Sequence, residues 1–183
     1  MVKNFIIKPA HKKHSEGIAT IERAIWSAPM DHKAVGKLLT EPEGDGFIAA
    51  EEKSDYPVGY LLYRSIKRRY VIAGMGVLPT WRGQGIGSHL MQPLNDRLLA
   101  RRADAIWCAV SQESAALPAQ LFLRACGFRV IDDQIWLPRW SKEGTVPGYQ
   151  FERTADAERA DGQEVVLTSE LLGLTYHQMV ASV

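Results

Sequence analysis

The run Val77-Leu78-Pro79-Thr80-Trp81-Arg82-Gly83-Gln84-Gly85-Ile86-Gly87-Ser88 carries the chemistry most legible in the chain. An apolar segment leads into a glycine-rich turn, and the turn leads into a helix-forming segment. Glycine lets a backbone approach an anion with no Cβ in the way. The first N–H groups of a helix lack partners within it, and the helix dipole favours negative charge at that end. Arg82 adds a planar cation at the mouth of the turn. Together these features form a cradle for a phosphate group.

Spacing excludes two common phosphate-binding patterns. The dinucleotide fingerprint G-x-G-x-x-G needs a third glycine. That position falls on Ser88 when counted from Gly83 and on Leu90 when counted from Gly85. A Walker A loop needs Gly-Lys followed by Ser or Thr, and no such run occurs. What remains is R-x-x-G-x-G, formed by Arg82, Gly85 and Gly87.

The rest of the chain must position this turn. A length of 183 residues suits one domain with a proper core, and a 46% apolar fraction is ordinary for a globular protein. Lys+Arg 22 against Asp+Glu 21 leaves a net charge of +1, so no electrostatic case exists for a nucleic-acid partner. Lys67-Arg68-Arg69 and Arg101-Arg102 read as a solvated turn and a helix end. Cys108 and Cys126 lie in apolar settings without metal-ligand spacing, and no metal site is expected. His11 and His14 read as a surface turn before a helix. No signal peptide and no membrane-spanning run is visible, so a cytoplasmic protein with no membrane partner is expected, as monomer or homodimer.

Residues 5–7 form a strand candidate ending at Pro9. Ile18, Ile21 and Ile25 recur at helical spacing, with Ser15 as N-cap. Pro29 stops that helix, and Asp31 caps a second that ends near Leu39. Residues 47–50 and 58–65 read as paired strands around Ser54-Asp55, and 70–78 as the next strand. Ile86, Leu90, Leu94 and Leu98 mark the inner face of a long helix. Pro93 lies within it, where proline costs about 3 kcal/mol, so a kink or break is expected. Residues 105–110 read as a buried strand. Pro118 fits the first turn of the next helix, with Leu117, Leu121 and Phe122 on its core side and Gly127 beyond its end. Residues 128–136 and 148–153 are the final strands. Residues 154–162 read as a linker, and 168–179 as a short amphipathic helix or a frayed tail.

This order of elements, with R-x-x-G-x-G between strand and helix, resembles the GNAT superfamily of N-acetyltransferases. A second segment, Leu117-Pro118-Ala119-Gln120-Leu121-Phe122-Leu123-Arg124-Ala125-Cys126-Gly127-Phe128, is similar to that family's later helix ending in Gly-Phe. The resemblance covers roughly residues 1–153 and leaves 154–183 as a C-terminal extension. Within the superfamily, the chain is most similar to the ribosomal-protein N-terminal alanine acetyltransferases. The resemblance implies an α/β (α+β) fold, with a mixed sheet of about seven strands flanked by helices and splayed at an acyl-CoA cleft. It implies acetyl-CoA as co-substrate. Met75, Gly76 and Val77 would pair with the pantetheine arm, and Arg82, Gly83, Gln84, Gly85, Ile86, Gly87 and Ser88 would hold the pyrophosphate. Acceptor selectivity would come from the region 29–40 and from the loop 138–147.

The acid–base positions depart from the family. In the alanine acetyltransferases a tyrosine resembles the acid, and Leu123 stands at that position here. Ser111 stands where they carry a glutamate base, and Ala116 where an asparagine contacts CoA. Other members carry a glutamate base on the strand before the turn, and Val71 occupies that position. None of these side chains transfers a proton, although Ser111 can hold a water. A thiol leaving group is already fairly acidic, at about 8.5, and orientation alone contributes about 7–11 kcal/mol. Turnover without a tyrosine acid is therefore feasible. Glu113, just past the strand 105–110, is the acidic residue nearest the missing base and is the candidate base, with a solvated loop carboxylate as the alternative reading. Tyr60, Tyr63 and Tyr70 are candidates to reach a cleft, with packing as the alternative. The expected activity is acetyl transfer from acetyl-CoA to a primary amine, a protein N-terminus or a small molecule, by direct attack in a ternary complex. The alternative is a non-catalytic acyl-CoA-binding module or regulatory subunit.

Overall fold

The computed structural model describes residues 4–26, 29–112, 116–138 and 145–155. Among the described residues the strands and α-helices follow one another as β1 (Phe5–Pro9), α1 (Ser15–Ile25), α2 (His32–Leu38), β2 (Gly44–Glu51), β3 (Pro57–Ile66), β4 (Arg69–Val77), α3 (Ile86–Ala100), β5 (Ala105–Ser111), α4 (Leu117–Ala125), β6 (Arg129–Pro138) and β7 (Thr145–Thr154). The strands make one sheet in the order β1-β2-β3-β4-β5-β7-β6. Only β4 and β5 run parallel; every other pair is antiparallel. The helix α3 crosses between those two strands, which a parallel pair requires.

Each face of the sheet has its own core. On one face Ile86, Leu90, Leu94 and Leu98 of α3 pack with Leu61, Tyr63, Ile72 and Ile106. On the other, Ile18 and Ile21 of α1 and Val35 and Leu38 of α2 pack with Ile48, Tyr60, Leu62 and Ala73. The run Pro57 to Tyr63 in β3 is buried throughout, as a strand covered on both faces must be. Asp31 caps α2 through Ala34 N–H at 2.7 Å. Beyond α4, Gly127 N–H donates to Arg124 O and Phe128 N–H to Leu123 O, both at 3.0 Å. That pair of bonds is a Schellman closure.

Four expectations are corrected. Ser15 is the first helical residue, not the cap, because a 3-10 turn over Lys12–His14 precedes α1 and the Ser15 hydroxyl donates to Lys12 O. His14 is buried rather than at the surface, and its Nδ1 accepts the His11 N–H at 3.0 Å. Burial lowers its pKa to about 4, with nearby lysines adding to the shift. Pro93 does not break α3, which is continuous to Ala100; buried side chains on both sides of the proline hold the two halves to the same sheet. Leu117 and Leu121 are exposed, at 50% and 57%. The core side of α4 is instead Gln120 and Leu123, with Ala116 just before the helix. The buried Gln120 amide is satisfied by Ser111 O at 2.7 Å.

Candidate functional site

The sheet is split between β4 and β5. Their pairing stops after Arg69↔Ala105, Tyr70↔Ile106 and Val71↔Trp107. The β3–β4 register slips at the same level, with Tyr63 opposite Ile72 but Leu62 opposite Gly74, so Ala73 is an extra residue. A bulge of this kind bends its strand and increases its twist, and it turns the end of β4 away from β5. Past the bulge, Leu78 N–H donates to Val58 O. Backbone groups alternate along a ladder, so those of Gly76 face β3 and those of Met75 and Val77 face the split. The Val77 carbonyl accordingly accepts from Arg82 Nε at 3.2 Å.

The split ends against the start of α3. Gly83 and Gly85 both take φ +76, a conformation that costs other L-residues about 1–2 kcal/mol. Gly85 is the N-cap and supplies no side chain to the helix end. The first helical bond is His89 N–H to Gly85 O at 3.0 Å, so the N–H groups of Ile86, Gly87 and Ser88 have no partner within α3. A Cβ on Gly83 would meet nothing within 4 Å. One on Gly87 would sit 3.0 and 3.1 Å from the Phe122 ring, which brings α4 against the turn.

Between these parts lies a cleft of about 480 Å³. Met75, Gly76, Val77, Arg82, Gly83, Gly85, Ile86, Gly87 and Ser88 all line it. Gln84, predicted with them, is not among the lining residues. The opposite wall is Cys108, Ala109 and Val110 of β5 with Phe122 and Leu123 of α4, and Ile25 and Trp26 close it from the α1 face. Glu113 and the residues 139–144 and 156–183 lie outside the described residues. Tyr60, Tyr63 and Tyr70 are buried packing residues away from the lining, as are Val71, Ser111 and Ala116.

Among the described lining residues the ionisable side chains are Arg82 and Cys108. Burial pushes the Cys108 thiol up to about 12, so it is neutral at physiological pH. A third titratable group stands just behind the wall. Glu22 on α1 is fully buried, and burial pushes its carboxyl up to about 8 against the opposing Met30 N–H. Sequence reasoning missed it, although it interrupts the apolar face Ile18, Ile21, Ile25 at a helical core position. Among the described residues no cluster of three or more His, Cys, Asp or Glu forms a metal site.

A family model for the acetyltransferase (GNAT) family matches residues 15–128. The chain belongs to that family: it is a GNAT acetyltransferase. Among curated proteins, none matches it by sequence. Solved structures share the fold at low identity. The ribosomal-protein-S18-alanine N-acetyltransferase of Escherichia coli is 16% identical, covers 90% of this chain and 100% of its own, and has a TM-score of 0.69. Ard1 from Thermoplasma volcanium is 17% identical over 82% of this chain and 97% of its own, with a TM-score of 0.69. Arabidopsis thaliana NAA60, solved in complex with acetyl-CoA, is 13% identical over 84% and 99%, with a TM-score of 0.68.

Proposed function

We propose that the chain moves the acetyl group of acetyl-CoA directly to a primary amine, on a protein N-terminus or a small molecule. The split between β4 and β5, running into an uncapped helix N-terminus, carries this reading. A pantetheine arm is an extended chain with two amides, and the Met75 N–H and C=O with the Val77 N–H, facing the split, offer it strand-like pairing, the Val77 carbonyl being held by Arg82. The pyrophosphate belongs at the N–H groups of Ile86, Gly87 and Ser88, where donors and dipole act together. Arg82 is tied to the end of β4 by one N–H and presents the rest of its fork at the mouth. The likeness to an acetyl-CoA complex in fold, and the family itself, support the same co-substrate.

The thioester then lies in the apolar part of the cleft. A neutral amine attacks the carbonyl carbon; the C–N bond forms, the C–S bond breaks, and the electron pair leaves on sulfur. The thiolate, whose conjugate acid has a pKa of about 8.5, takes a proton from solvent or from the amine. Direct attack is favoured over a cysteine-bound intermediate because the Cys108 thiol is held neutral, and the nucleophile of such a route is the thiolate. Glu113 stays the candidate base on sequence position alone.

The test is release of free thiol from acetyl-CoA with a panel of amines and N-terminal peptides. Thiol release with an acetylated product supports transfer. A chain that acetyl-CoA stabilises against heat, but that releases no thiol with any amine, supports a binding module instead. Turnover by Glu113→Gln equal to wild type across pH removes Glu113 from the mechanism.

A further inference from the structure

The cleft lies in the split of the sheet and is lined from both faces, by the start of α3 on one and by Ile25 and Trp26 on the other. With the phosphates at the start of α3, the α1 face, where Ile25 and Trp26 make the wall, is left for the second reactant. Glu22 lies one helical turn before that wall. Its Oε1 receives the Tyr60 hydroxyl, and its Oε2 receives the Met30 N–H at 2.9 Å. One side chain so joins α1, β3 and the residue preceding the cap of α2. Tyr60 pairs with Gly76 in register, and there is no room between them and the wall. A Cβ on Gly76 would collide with Ile25 Cδ1 and sit 2.9 Å from Tyr60 Cε1.

A fully enclosed carboxyl with no ion-pair partner among the described residues costs stability whether it ionises or is kept protonated by burial. Its bond to Tyr60 leads to the ring that lies with Ile25 beside Gly76, and its bond to Met30 leads to a residue of the same apolar cluster as Ile25. The geometry points to Glu22 as a positioning residue for the acceptor: through Tyr60 and Met30 it fixes Ile25 and Trp26 as the surface against which the incoming amine is laid. It touches neither reactant, so it sets acceptor affinity and leaves the phosphate turn alone. The inference rests on reading the cleft as the site of an acyl-CoA and an amine.

The test uses the full chain and two probes, acetyl-CoA and a conjugate in which CoA is joined through its acetyl carbon to the amine of an alanyl dipeptide. Calorimetry gives both affinities for wild type, Glu22→Ala, Glu22→Gln and Tyr60→Phe. The conjugate is expected to bind wild type about tenfold or more tighter than acetyl-CoA. Glu22→Ala should weaken the conjugate about tenfold and leave acetyl-CoA within about twofold. Glu22→Gln, which keeps an acceptor for Met30 and a polar partner for Tyr60, should restore conjugate affinity. Tyr60→Phe should give an intermediate loss, and it carries the test if Glu22→Ala does not fold. The proposal is overturned if Glu22→Ala (or, in its place, Tyr60→Phe) holds the conjugate at wild-type affinity. It is also overturned if both probes weaken equally, or if the conjugate binds wild type no tighter than acetyl-CoA. Failure of acetyl-CoA itself to bind wild type would instead refute the reading of the cleft.

Discussion

Replacing Glu22 with Gln should remove a pH dependence of stability that the wild type carries. In the folded chain the carboxyl is fully enclosed and titrates near 8, against an ordinary value of 4.5. Between those values the folded state keeps a proton that the unfolded chain has lost. The slope of unfolding free energy with pH follows protons bound unfolded minus protons bound folded, so this group lowers stability as pH rises through the window and adds nothing further above it. At about 1.36 kcal/mol per pH unit, the full window is worth about 5 kcal/mol, of which about 4 kcal/mol falls between about pH 5 and pH 9. Gln resembles the protonated acid in carrying no charge: its oxygen accepts from Met30 as Oε2 does, and its amide nitrogen takes the place of Oε1 beside the Tyr60 hydroxyl. The variant should therefore match wild type at about pH 5 and exceed it by several kcal/mol at about pH 9. In urea, with a slope of about 2 kcal/mol/M, the midpoints should separate by about 2 M at the higher pH. His14, held near 4 by burial, works in the opposite sense at lower pH, but it is common to both proteins and cancels in the difference. Equal midpoints at both pH values would show that Glu22 is ionised when folded, and would refute the argument from burial.

Three further outcomes follow from the cleft. Gly76→Ala places a methyl against Ile25 and Tyr60, and over-packing there should cost about 1–3 kcal/mol in thermal or urea unfolding, with weaker acetyl-CoA binding. Cys108→Ala should retain turnover within about tenfold in the thiol-release assay, since a neutral thiol makes no acyl intermediate; complete loss would argue for a covalent route. Arg82→Ala should weaken acetyl-CoA by about tenfold in calorimetry, less than a change at Gly85, because backbone N–H groups supply most of the anion site.

The glycine turn before α3 was legible because its requirements are local: glycines at positive φ, a preceding strand and a following helix are all contiguous. The mixed sheet and the helix after it were legible from element order and from the Gly127-Phe128 ending. The face of α4 was misread because Leu117 and Leu121 are apolar, while a buried Gln120 is invisible as core until its partner, the Ser111 carbonyl, is known. Pro93 leaves α3 unbroken because the cost of a proline is local and the packing that offsets it is not. The wall made by Ile25 and Trp26, and the Glu22–Tyr60–Met30 connection behind it, join residues 38 positions apart, and no spacing rule joins them. The one sequence signal was an acid on an apolar helical stripe.

The claim that α3 receives the pyrophosphate is tested most directly by titrating acetyl-CoA into wild type, Gly85→Asn and Gly85→Asp. Asn and Asp both tolerate the left-handed conformation better than other residues, and a Cβ at Gly85 meets only the His89 ring at 3.4 and 3.5 Å, so both variants should fold. They differ by one negative charge at the helix N-terminus. About 4 kcal/mol of repulsion per charge pair near 4 Å predicts that Asp binds about a thousandfold more weakly than Asn. Equal affinity of Gly85→Asp and Gly85→Asn, or wild-type affinity in Gly85→Asp, would contradict the placement of the phosphates at this turn.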